Sequence, residues 1–333
     1  MNTSFKTAEF VSPQHPDKLC DRIADALLDE YLRHDPSART AIEVMGGHGR
    51  VFITGEVKSQ VTVDIEPIVR RIVGEELEIV NNLAAQSPEI AAGVDTGGAG
   101  DQGIMIGYAT SETPELLPLE LVLARDLSQF LYKLWPHDGK TQVTVKNAEL
   151  VAIVASFQHA AHNDLELAVK DWAKKQQYAN PCFVKYRNSN PQLHINPAGD
   201  WHIGGFEADA GLTGRKLIVD NYGPQIPIGG GAYSGKDSSK VDRSAAYMAR
   251  KIAVDYLRQF QAHTVLVRLA YAIGHSQPVE ATVIIDGIEK RIEGYDLSPH
   301  GIIDFLRLKR SIYEDLATHG HYGRPHIAWE TPL

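Results

Sequence analysis

The residues with the clearest capacity for chemistry are cations and carboxylates set among glycines. The densest group is the segment GGGAYSGK at Gly229–Lys236, which is followed closely by Lys240 and Asp242. Glycines expose backbone N–H groups that can surround a phosphate, and a lysine can neutralise its charge. Asp242 stands at the start of a predicted helix, so it can either cap that helix or bind Mg²⁺ through a carboxylate oxygen. We interpret this segment as a functional loop rather than an ordinary surface loop.

Four further segments combine charge with glycine or proline: HPDK at His15–Lys18, GAGDQG at Gly98–Gly103, DGK at Asp138–Lys140 and DAGLTGRK at Asp209–Lys216. His15 lies just before a predicted helix, where free N–H groups and the helix dipole favour an anion, although plain helix capping explains the same position. Arg215 and Lys216 precede a predicted strand, on which adjacent residues point to opposite faces. Both would contact one ligand only if the backbone bends, and a polar loop is the alternative.

Taken together, these charges suit a polyphosphate that is bound with Mg²⁺. The cations are Lys140, Arg215, Lys216, Lys236 and Lys240, and the separated aspartates are Asp17 and Asp242. No Ser-His-Asp order, nucleophile elbow or zinc-ligand spacing competes with this interpretation. The residues therefore predict an enzyme that acts on a nucleoside triphosphate, and they leave the reaction open.

Two glycine motifs point to other nucleotide-binding folds, and we reject both. Gly98–Gly103 fits GxGxxG, but the residues after it predict a strand where a dinucleotide-binding fold needs a helix. Gly230–Lys236 fits GxxxxGK, but Asp237 stands where a P-loop needs Ser or Thr. Phosphate binding by these glycines and Lys236 remains the prediction.

Composition excludes several classes of protein. The chain has 333 residues, of which 43% are hydrophobic and 23% charged, and its net charge is −9. A generic nucleic-acid binder is basic and a membrane helix needs 18 or more apolar residues, so we expect neither nucleic acid nor a membrane as a partner. No apolar leader is visible, and Cys20 and Cys182 form no disulfide framework. We expect a soluble cytoplasmic enzyme.

Hydrophobic periodicity predicts the elements that position the charged residues. Helices are predicted at 16–33, 64–78, 120–131, 164–177, 241–260 and 299–308, and strands at 41–45, 51–57, 104–108, 142–145, 149–157, 217–219, 264–273 and 280–285. Hairpins mixed with helix-separated strands indicate an α+β fold, and helix followed by hairpin recurs about three times. We expect domains at 1–90, 97–203 and 205–330.

Glu43 and Glu56 lie on the first predicted hairpin, where plain exposed carboxylates are the simpler interpretation. His319 and His321 lack a third metal ligand.

In their order along the chain, these segments resemble the S-adenosylmethionine synthetase (methionine adenosyltransferase) family. The shared motifs are HPDK, TGE at Thr54–Glu56, QSP at Gln86–Pro88, GAGDQG, DGKTQVT at Asp138–Thr144, GLTGRK at Gly211–Lys216, GGGAYSGKDSSKVDRSAAY at Gly229–Tyr247, YAIG at Tyr271–Gly274 and GHYGR at Gly320–Arg324. The resemblance covers nearly the whole chain. It implies three similar α+β domains with pseudo-threefold symmetry, whose mixed or antiparallel sheets are covered by helices. It also implies a homodimer or homotetramer with active sites between subunits.

The resemblance also implies a reaction and residue roles. The sulfur of L-methionine attacks C5′ of ATP, and the released triphosphate is cleaved to pyrophosphate and phosphate. A thioether needs no general base, so the barrier lies in stabilising charge on the leaving triphosphate, which Lys, Arg and Mg²⁺ can do. The implied catalytic residues are His15, Lys140, Arg215, Lys216 and Lys236. The implied ATP contacts are these five with Asp138, Trp201, Asp209, Ala232 and Ile273, and the implied methionine contacts are Glu56, Gln86, Asp209 and Lys240. Asp17 and Asp242 would hold two Mg²⁺, and Glu43 would hold K⁺.

The chain departs from the family pattern at several positions. Gln14 replaces a usual glycine, Asp200-Trp201 replaces an Arg-Phe pair, and Ile228 stands where many members have His. The connection between Gly74 and Gln86 is short, and the gating loop is reduced to Asp95-Thr96-Gly97. Two alternatives therefore stay open. One is a diverged relative with another nucleotide or sulfur substrate or mainly triphosphatase activity, and the other is a non-catalytic nucleotide-binding subunit.

Overall fold

The structure is a computed structural model that describes residues 4–86, 97–179 and 190–331. Its strands are β1 (Phe5–Val11), β2 (Arg39–Gly47), β3 (Arg50–Lys58), β4 (Glu78–Ala85), β5 (Gly103–Thr110), β6 (Gly139–Lys146), β7 (Glu149–Phe157), β8 (Gln192–Ile195), β9 (Gly211–Leu212), β10 (Thr264–Tyr271), β11 (Glu280–Ile285) and β12 (Ile288–Arg291). Its helices are α1 (Pro16–His34), α2 (Glu66–Val73), α3 (Leu119–Leu134), α4 (His162–Ala179), α5 (Gly205–Ala208), α6 (Leu217–Asp220), α7 (Val241–Phe260), α8 (Pro299–Leu306) and α9 (Tyr313–His319). Cys182 and the Asp95-Thr96 part of the short gating loop lie outside the described residues.

The strands form three four-stranded sheets, each built from a hairpin, a fourth strand and one strand supplied by a distant part of the chain. The strand orders are β1-β6-β7-β8, β9-β2-β3-β4 and β5-β10-β11-β12. The supplied strand is always antiparallel to the first hairpin strand. The fourth strand is parallel to its neighbour in the first two sheets and antiparallel in the third. The unit of strand, helix, hairpin and strand thus occurs three times, and the predicted α+β fold is confirmed.

One long helix covers each sheet. Helix α1 packs on β2 and β9, α3 packs on β1 and β6, and α7 packs on β5 and β10. Each pairing buries its own apolar cluster, so the described residues form three cores rather than one. On α1 the predicted apolar face is buried at Leu19, Ile23, Ala26 and Leu27. Burial of such a face, rather than helix propensity alone, stabilises these helices.

Most predicted helices and hairpins are confirmed, with differences at short segments. The helix predicted at 64–78 ends at Val73, and Glu78 already begins β4. The strand predicted at 217–219 is wrong, because Leu217–Asp220 is the helical turn α6. There the amides of Asp220 and Asn221 bond back to the carbonyls of Lys216 and Leu217, so no neighbouring strand is needed. Three apolar residues in a row are too few to separate a strand from a helical turn.

The rejection of the dinucleotide-binding motif is confirmed, because β5 rather than a helix follows Gly98–Gly103. The rejection of the P-loop is confirmed as well, since α7 begins only at Val241. Among the described residues, no helix is both long enough and apolar enough to span a bilayer. Cys20 is a free, buried residue of α1.

The contact between β5 and α7 depends on Gly107. A Cβ atom on Gly107 would lie 2.0 Å from the carbonyl oxygen of Ala249, which is backbone and cannot rotate away. We therefore expect Gly107→Ala to lower the free energy of unfolding by about 2 kcal/mol or more, measured by urea denaturation. Ile104→Ala is the control, because Ile104 lies on the same strand and its side chain is 54% exposed. An equal effect of both substitutions would contradict this account of the contact.

Candidate active site

The first group of predicted site residues surrounds the start of α1. His15 is the N-cap residue, and its Nδ1 accepts a hydrogen bond from the amide of Asp17 at 3.2 Å. The amide of Leu212 donates to Asp17 Oδ1 at 2.9 Å, which brings the GLTGRK segment onto the helix start. Only glycine fits at position 211, since a Cβ there would lie 2.2 Å from the carbonyl oxygen of Pro16. The HPDK and GLTGRK motifs therefore form one structural unit.

Arg215 and Lys216 both reach Asp17. Lys216 Nζ lies 2.5 Å from Asp17 Oδ2, and Arg215 Nε lies 3.5 Å from Asp17 Oδ1. Burial of Asp17 opposes ionisation, yet the hydrogen bonds from Lys216 and the Leu212 amide outweigh it and lower the pKa of the carboxyl. The sequence allowed both cations to reach one group only if the backbone bends, and the backbone does turn into α6 at Lys216.

His15 is held uncharged by its surroundings. Burial of the imidazole lowers its pKa to about 4, and the positive charge of Lys216 acts in the same direction. Because Nδ1 already accepts the Asp17 amide, the neutral ring carries its proton on Nε2. His15 can thus donate a hydrogen bond from Nε2 at neutral pH without carrying a charge.

Lys140 and Asp138 extend this group onto the sheet β1-β6-β7-β8, which we call the central sheet. Lys140 lies opposite Val11 in the β1–β6 ladder, and its Nζ is 2.9 Å from Glu9 Oε2. Asp138 Oδ2 accepts the amide of Gly205 at 3.0 Å, and burial raises the pKa of this carboxyl. Asp209 is exposed. A cavity of about 640 Å³, lined by Gln14, Asp138 and Phe206 among others, opens beside these residues.

The second group surrounds the start of α7. Lys236 Nζ lies 2.7 Å from Asp242 Oδ2, and Lys240 pairs with Asp237 instead. A Cβ atom on Gly231 would lie 2.2 Å from an Asp242 carboxylate oxygen, and one on Gly103 would lie 3.1 Å from it. The glycines of two motifs thus pack around Asp242. The alternative in which Asp242 caps α7 is wrong, because the N-cap residue is Lys240, whose side chain makes no capping hydrogen bond.

Ala232 lies where the two groups meet, and Ile273 lies near the GAGDQG segment. A Cβ atom on Gly214 would lie 2.6 Å from the Cβ of Ala232, so the segments carrying Lys216 and Lys236 meet there. Ile273 is 62% exposed beside the GAGDQG segment, where Ala99 exchanges backbone hydrogen bonds with Gly274 and His275.

Three of the candidate methionine and potassium residues lie on or directly after a strand of the sheet β9-β2-β3-β4, which we call the N-terminal sheet. Glu56 is on β3 opposite Ala41, and Glu43 is on β2 opposite Thr54. Gln86 follows β4, and its backbone N–H donates to the carbonyl of Val57 at 3.0 Å. The side chain of Gln86 makes a different contribution. Its buried Oε1 has no hydrogen-bond partner among the described residues. A buried polar atom without a partner indicates a position where a ligand can bind.

Asp200 and Trp201 occupy different environments. Asp200 Oδ2 accepts the amide of His162 at the start of α4, and Asp200 Oδ1 accepts the side-chain amide of Asn196. The Asn196 side chain and the His162 amide lower the pKa of Asp200, which therefore acts as a structural anion. The buried Trp201 Nε1 has no partner among the described residues.

The sequence reasoning missed a row of aspartates along α1. Asp17, Asp21, Asp25 and Asp29 recur every four residues, so they share one face of the helix, and all four are buried. Asp21 accepts the Gly214 amide at 2.8 Å, and Asp25 accepts the Gly235 amide at 2.9 Å. The regular spacing of like charges, which repel unless each has a partner, is the signal that could have revealed this row.

His319 and His321 form no metal site. His321 is buried, and its Nδ1 bonds the hydroxyl of Tyr247 at 2.9 Å, whereas His319 is half exposed beside Asp315. Among the described residues, no group of three or more His, Cys, Asp or Glu side chains can hold a metal ion.

Comparison with known proteins decides the family. The models of the N-terminal, central and C-terminal domains of S-adenosylmethionine synthetase match residues 3–88, 96–201 and 203–331. The chain belongs to this family. S-adenosylmethionine synthase 1 of Frankia casuarinae is 40% identical over 99% of this chain and 96% of its own length. The synthases of Brachyspira hyodysenteriae and Treponema denticola are 38% and 40% identical over 97% and 98% of this chain and 95% of their own lengths.

This member of the S-adenosylmethionine synthetase family is short. Its alignment with the Frankia relative spans 388 positions, whereas the chain has 333 residues, so the relative carries residues that this chain lacks. Members of the family are transferases of an adenosyl group. In this member, the candidate site residues that lie on strands are Glu43 on β2, Glu56 on β3 and Lys140 on β6.

Protonation of His15 predicts a pH-dependent stability. Its pKa is about 4 in the folded chain and about 6.5 when unfolded, so the unfolded chain binds the extra proton first as the pH falls. The His15 contribution to stability is therefore lost from pH 6.5 down to about 4, and it amounts to about 2 kcal/mol between pH 7 and pH 5. His15→Asn keeps a capping acceptor but does not titrate. Urea unfolding at both pH values should show a smaller acid loss for this variant, and identical losses would contradict the lowered pKa.

The contacts of Asp200 predict that its substitution changes the stability of the chain but not its binding of nucleotide. Because its carboxylate caps α4, Asp200→Ala should lower the Tm and leave the KM for ATP nearly unchanged. Asp200→Asn, which keeps an acceptor oxygen, is the matched variant and should recover most of the Tm. If Asp200→Ala instead changes the KM for ATP with no effect on Tm, the carboxylate faces the nucleotide.

Proposed function

We propose that this chain synthesises S-adenosylmethionine from L-methionine and ATP. The methionine sulfur forms a bond to C5′ of ATP while the C5′–oxygen bond breaks, and the electron pair of that bond leaves on the triphosphate. Sulfur becomes a sulfonium, and water then cleaves the triphosphate to pyrophosphate and phosphate. The observation that carries this proposal is the convergence of Arg215 and Lys216 on Asp17 beside an uncharged His15.

Stabilisation of the leaving triphosphate is the work assigned to the cations. Lys140, Arg215, Lys216 and Lys236 would bind its oxygens, in an arrangement that is fixed before the reaction. His15 would donate its Nε2–H to a leaving-group oxygen without competing for a proton. Asp138, Trp201, Asp209, Ala232 and Ile273 would complete the nucleotide contacts, and the unpartnered Trp201 Nε1 supports a ligand acceptor nearby.

The donor set around Asp17 and Asp242 fits Mg²⁺ that arrives with its nucleotide. Mg²⁺ usually takes one or two carboxylates from the protein and completes its shell with phosphates and water. Each aspartate is a single carboxylate held by a lysine, and a Cβ atom at the Gly231 position would lie only 2.2 Å from the Asp242 carboxylate. Asp17 and Asp242 would hold two Mg²⁺ per site, which would neutralise phosphate charge when bound. Glu43 would hold K⁺.

Methionine would bind beside the N-terminal sheet. Glu56 and Lys240 offer opposite charges for its ammonium and carboxylate groups, with Asp209 as a second anion. Gln86 has an unsatisfied buried Oε1 to contribute. This residue set matches an amino acid that carries both charges.

A homodimer or homotetramer is the assembly that we propose, with active sites at the subunit interface. The family resemblance is what supports this assembly, in which facing copies of the chain would each contribute residues to a site. Domain boundaries near 90–97 and 203–205 and a cytoplasmic location complete the proposal.

Product analysis separates this function from the two alternatives. Purified protein with methionine, ATP, Mg²⁺ and K⁺ is expected to yield S-adenosylmethionine, pyrophosphate and phosphate. Triphosphate cleavage without a sulfonium product would indicate a diverged triphosphatase, and ATP binding without turnover would indicate a non-catalytic subunit. The full-length similarity to named synthases favours the first outcome.

Lys236 tests the electrostatic account of the reaction. Lys236→Ala should lower kcat by roughly two or more orders of magnitude, because a contact used mainly in the transition state is lost. Steady-state kinetics would measure this, with Lys170→Ala on the exposed face of α4 as the control. An unchanged kcat would remove Lys236 from the catalytic residues.

A further inference from the structure

A cavity of about 540 Å³ lies away from the α7 group, between α3, the end of β1 and the segment that follows α9. Its apolar wall includes Phe10, Val11 and Pro325, and its polar wall includes Arg125, Lys133 and Arg324. This volume is within the range of small-molecule sites, which combine an apolar lining with a few placed polar groups. None of these residues belongs to the candidate active site.

Arg125 is the unusual group in this cavity. Its Nη1 donates to the carbonyl of Tyr322 at 2.7 Å, and among the described residues no carboxylate lies within ion-pair distance of its guanidinium. Burial lowers the pKa of Arg125. The negative charges of Glu115 and Glu330 partly offset this decrease, whereas the positive charges of Arg250 and Arg324 add to it. A largely buried guanidinium without a carboxylate partner is costly unless an anion is bound.

The neighbouring carboxylates do not serve as that anion, because they already have other partners. Glu330 pairs with Arg250, and Asp315 pairs with Arg324. Glu115 lines the cavity, so one carboxylate faces the two cations Arg125 and Lys133. Together they leave an excess positive charge beside an apolar surface.

We propose that this cavity binds a small organic anion, whose carboxylate pairs with Arg125 and whose apolar body packs on Phe10 and Val11. A guanidinium matches a planar carboxylate through two parallel hydrogen bonds, so the head group is specified by shape as well as charge. The site goes beyond the proposed function and does not depend on it.

The same cavity touches the candidate active site through β1. Val11 lies opposite Lys140 in the sheet, and the Gln14 side chain donates to the hydroxyl of Tyr132, which also lines the cavity. Gln14 directly precedes His15. An anion in the cavity would therefore contact the residues that position Lys140 and His15.

Benzoate and its neutral isostere benzamide test the proposal on the full-length chain. Isothermal titration should show benzoate binding with a Kd on the order of 1 mM, as expected for a ligand this small, and markedly weaker binding of benzamide. Arg125→Gln should weaken benzoate by roughly tenfold or more, because a charge-assisted pair is lost. Arg291→Gln, on the exposed strand β12, is the matched control and should leave binding unchanged.

A second variant covers the case in which Arg125→Gln does not fold. Lys133 is exposed at the cavity rim, so Lys133→Glu should fold normally and weaken benzoate several-fold by charge repulsion, with benzamide unaffected. Equal binding of benzoate and benzamide, or no saturable benzoate binding, would overturn the proposal. Benzoate binding that is lost in Lys236→Ala but kept in Arg125→Gln would also overturn it, since the ligand would then occupy the candidate active site.

Discussion

Four buried aspartates on one face of α1 constrain the rest of the structure. Like charges at four-residue spacing repel, and burial raises their cost, so the helix needs a partner for each of them. Lys18 on α1 itself pairs with Asp21. The other partners come from distant segments: Lys216 and the Leu212 amide for Asp17, the Gly214 amide for Asp21, Arg243 and the Gly235 amide for Asp25, and the Tyr313 and Glu314 amides for Asp29. These segments therefore cannot move independently of α1.

The same interactions place the candidate catalytic cations. The Gly214 amide is bonded to Asp21, so Arg215 and Lys216 follow directly from an anchored residue, and the Gly235 amide does the same for Lys236. Side chains that begin at anchored backbone lose little freedom when they bind phosphate oxygens, which is the preorganisation that electrostatic catalysis requires. One helix thereby aligns two glycine-rich segments that lie about twenty residues apart in sequence.

The exchange of strands among the three sheets ties the sites to the whole fold. β1 precedes α1 but completes the central sheet, β5 completes the sheet covered by α7, and β9 completes the sheet covered by α1. Lys140 lies beside β1 because of this exchange, and Gly103, at the start of β5, lies against Asp242 for the same reason. Each sheet includes one strand from a distant part of the chain. Residues from all parts of the chain are therefore brought together.

Local sequence encodes the long helices, the hairpins and the set of cations, carboxylates and glycines, because periodicity and local motifs are short-range properties. The predicted helix at 241–260 coincides with α7, and the motifs led to the correct family. The folded chain alone reveals which strands pair across the chain, that Leu217–Asp220 is helical, and that His15 is neutral with its proton on Nε2. Pairing, burial and pKa depend on groups brought together from far along the chain, and no local pattern encodes those distances.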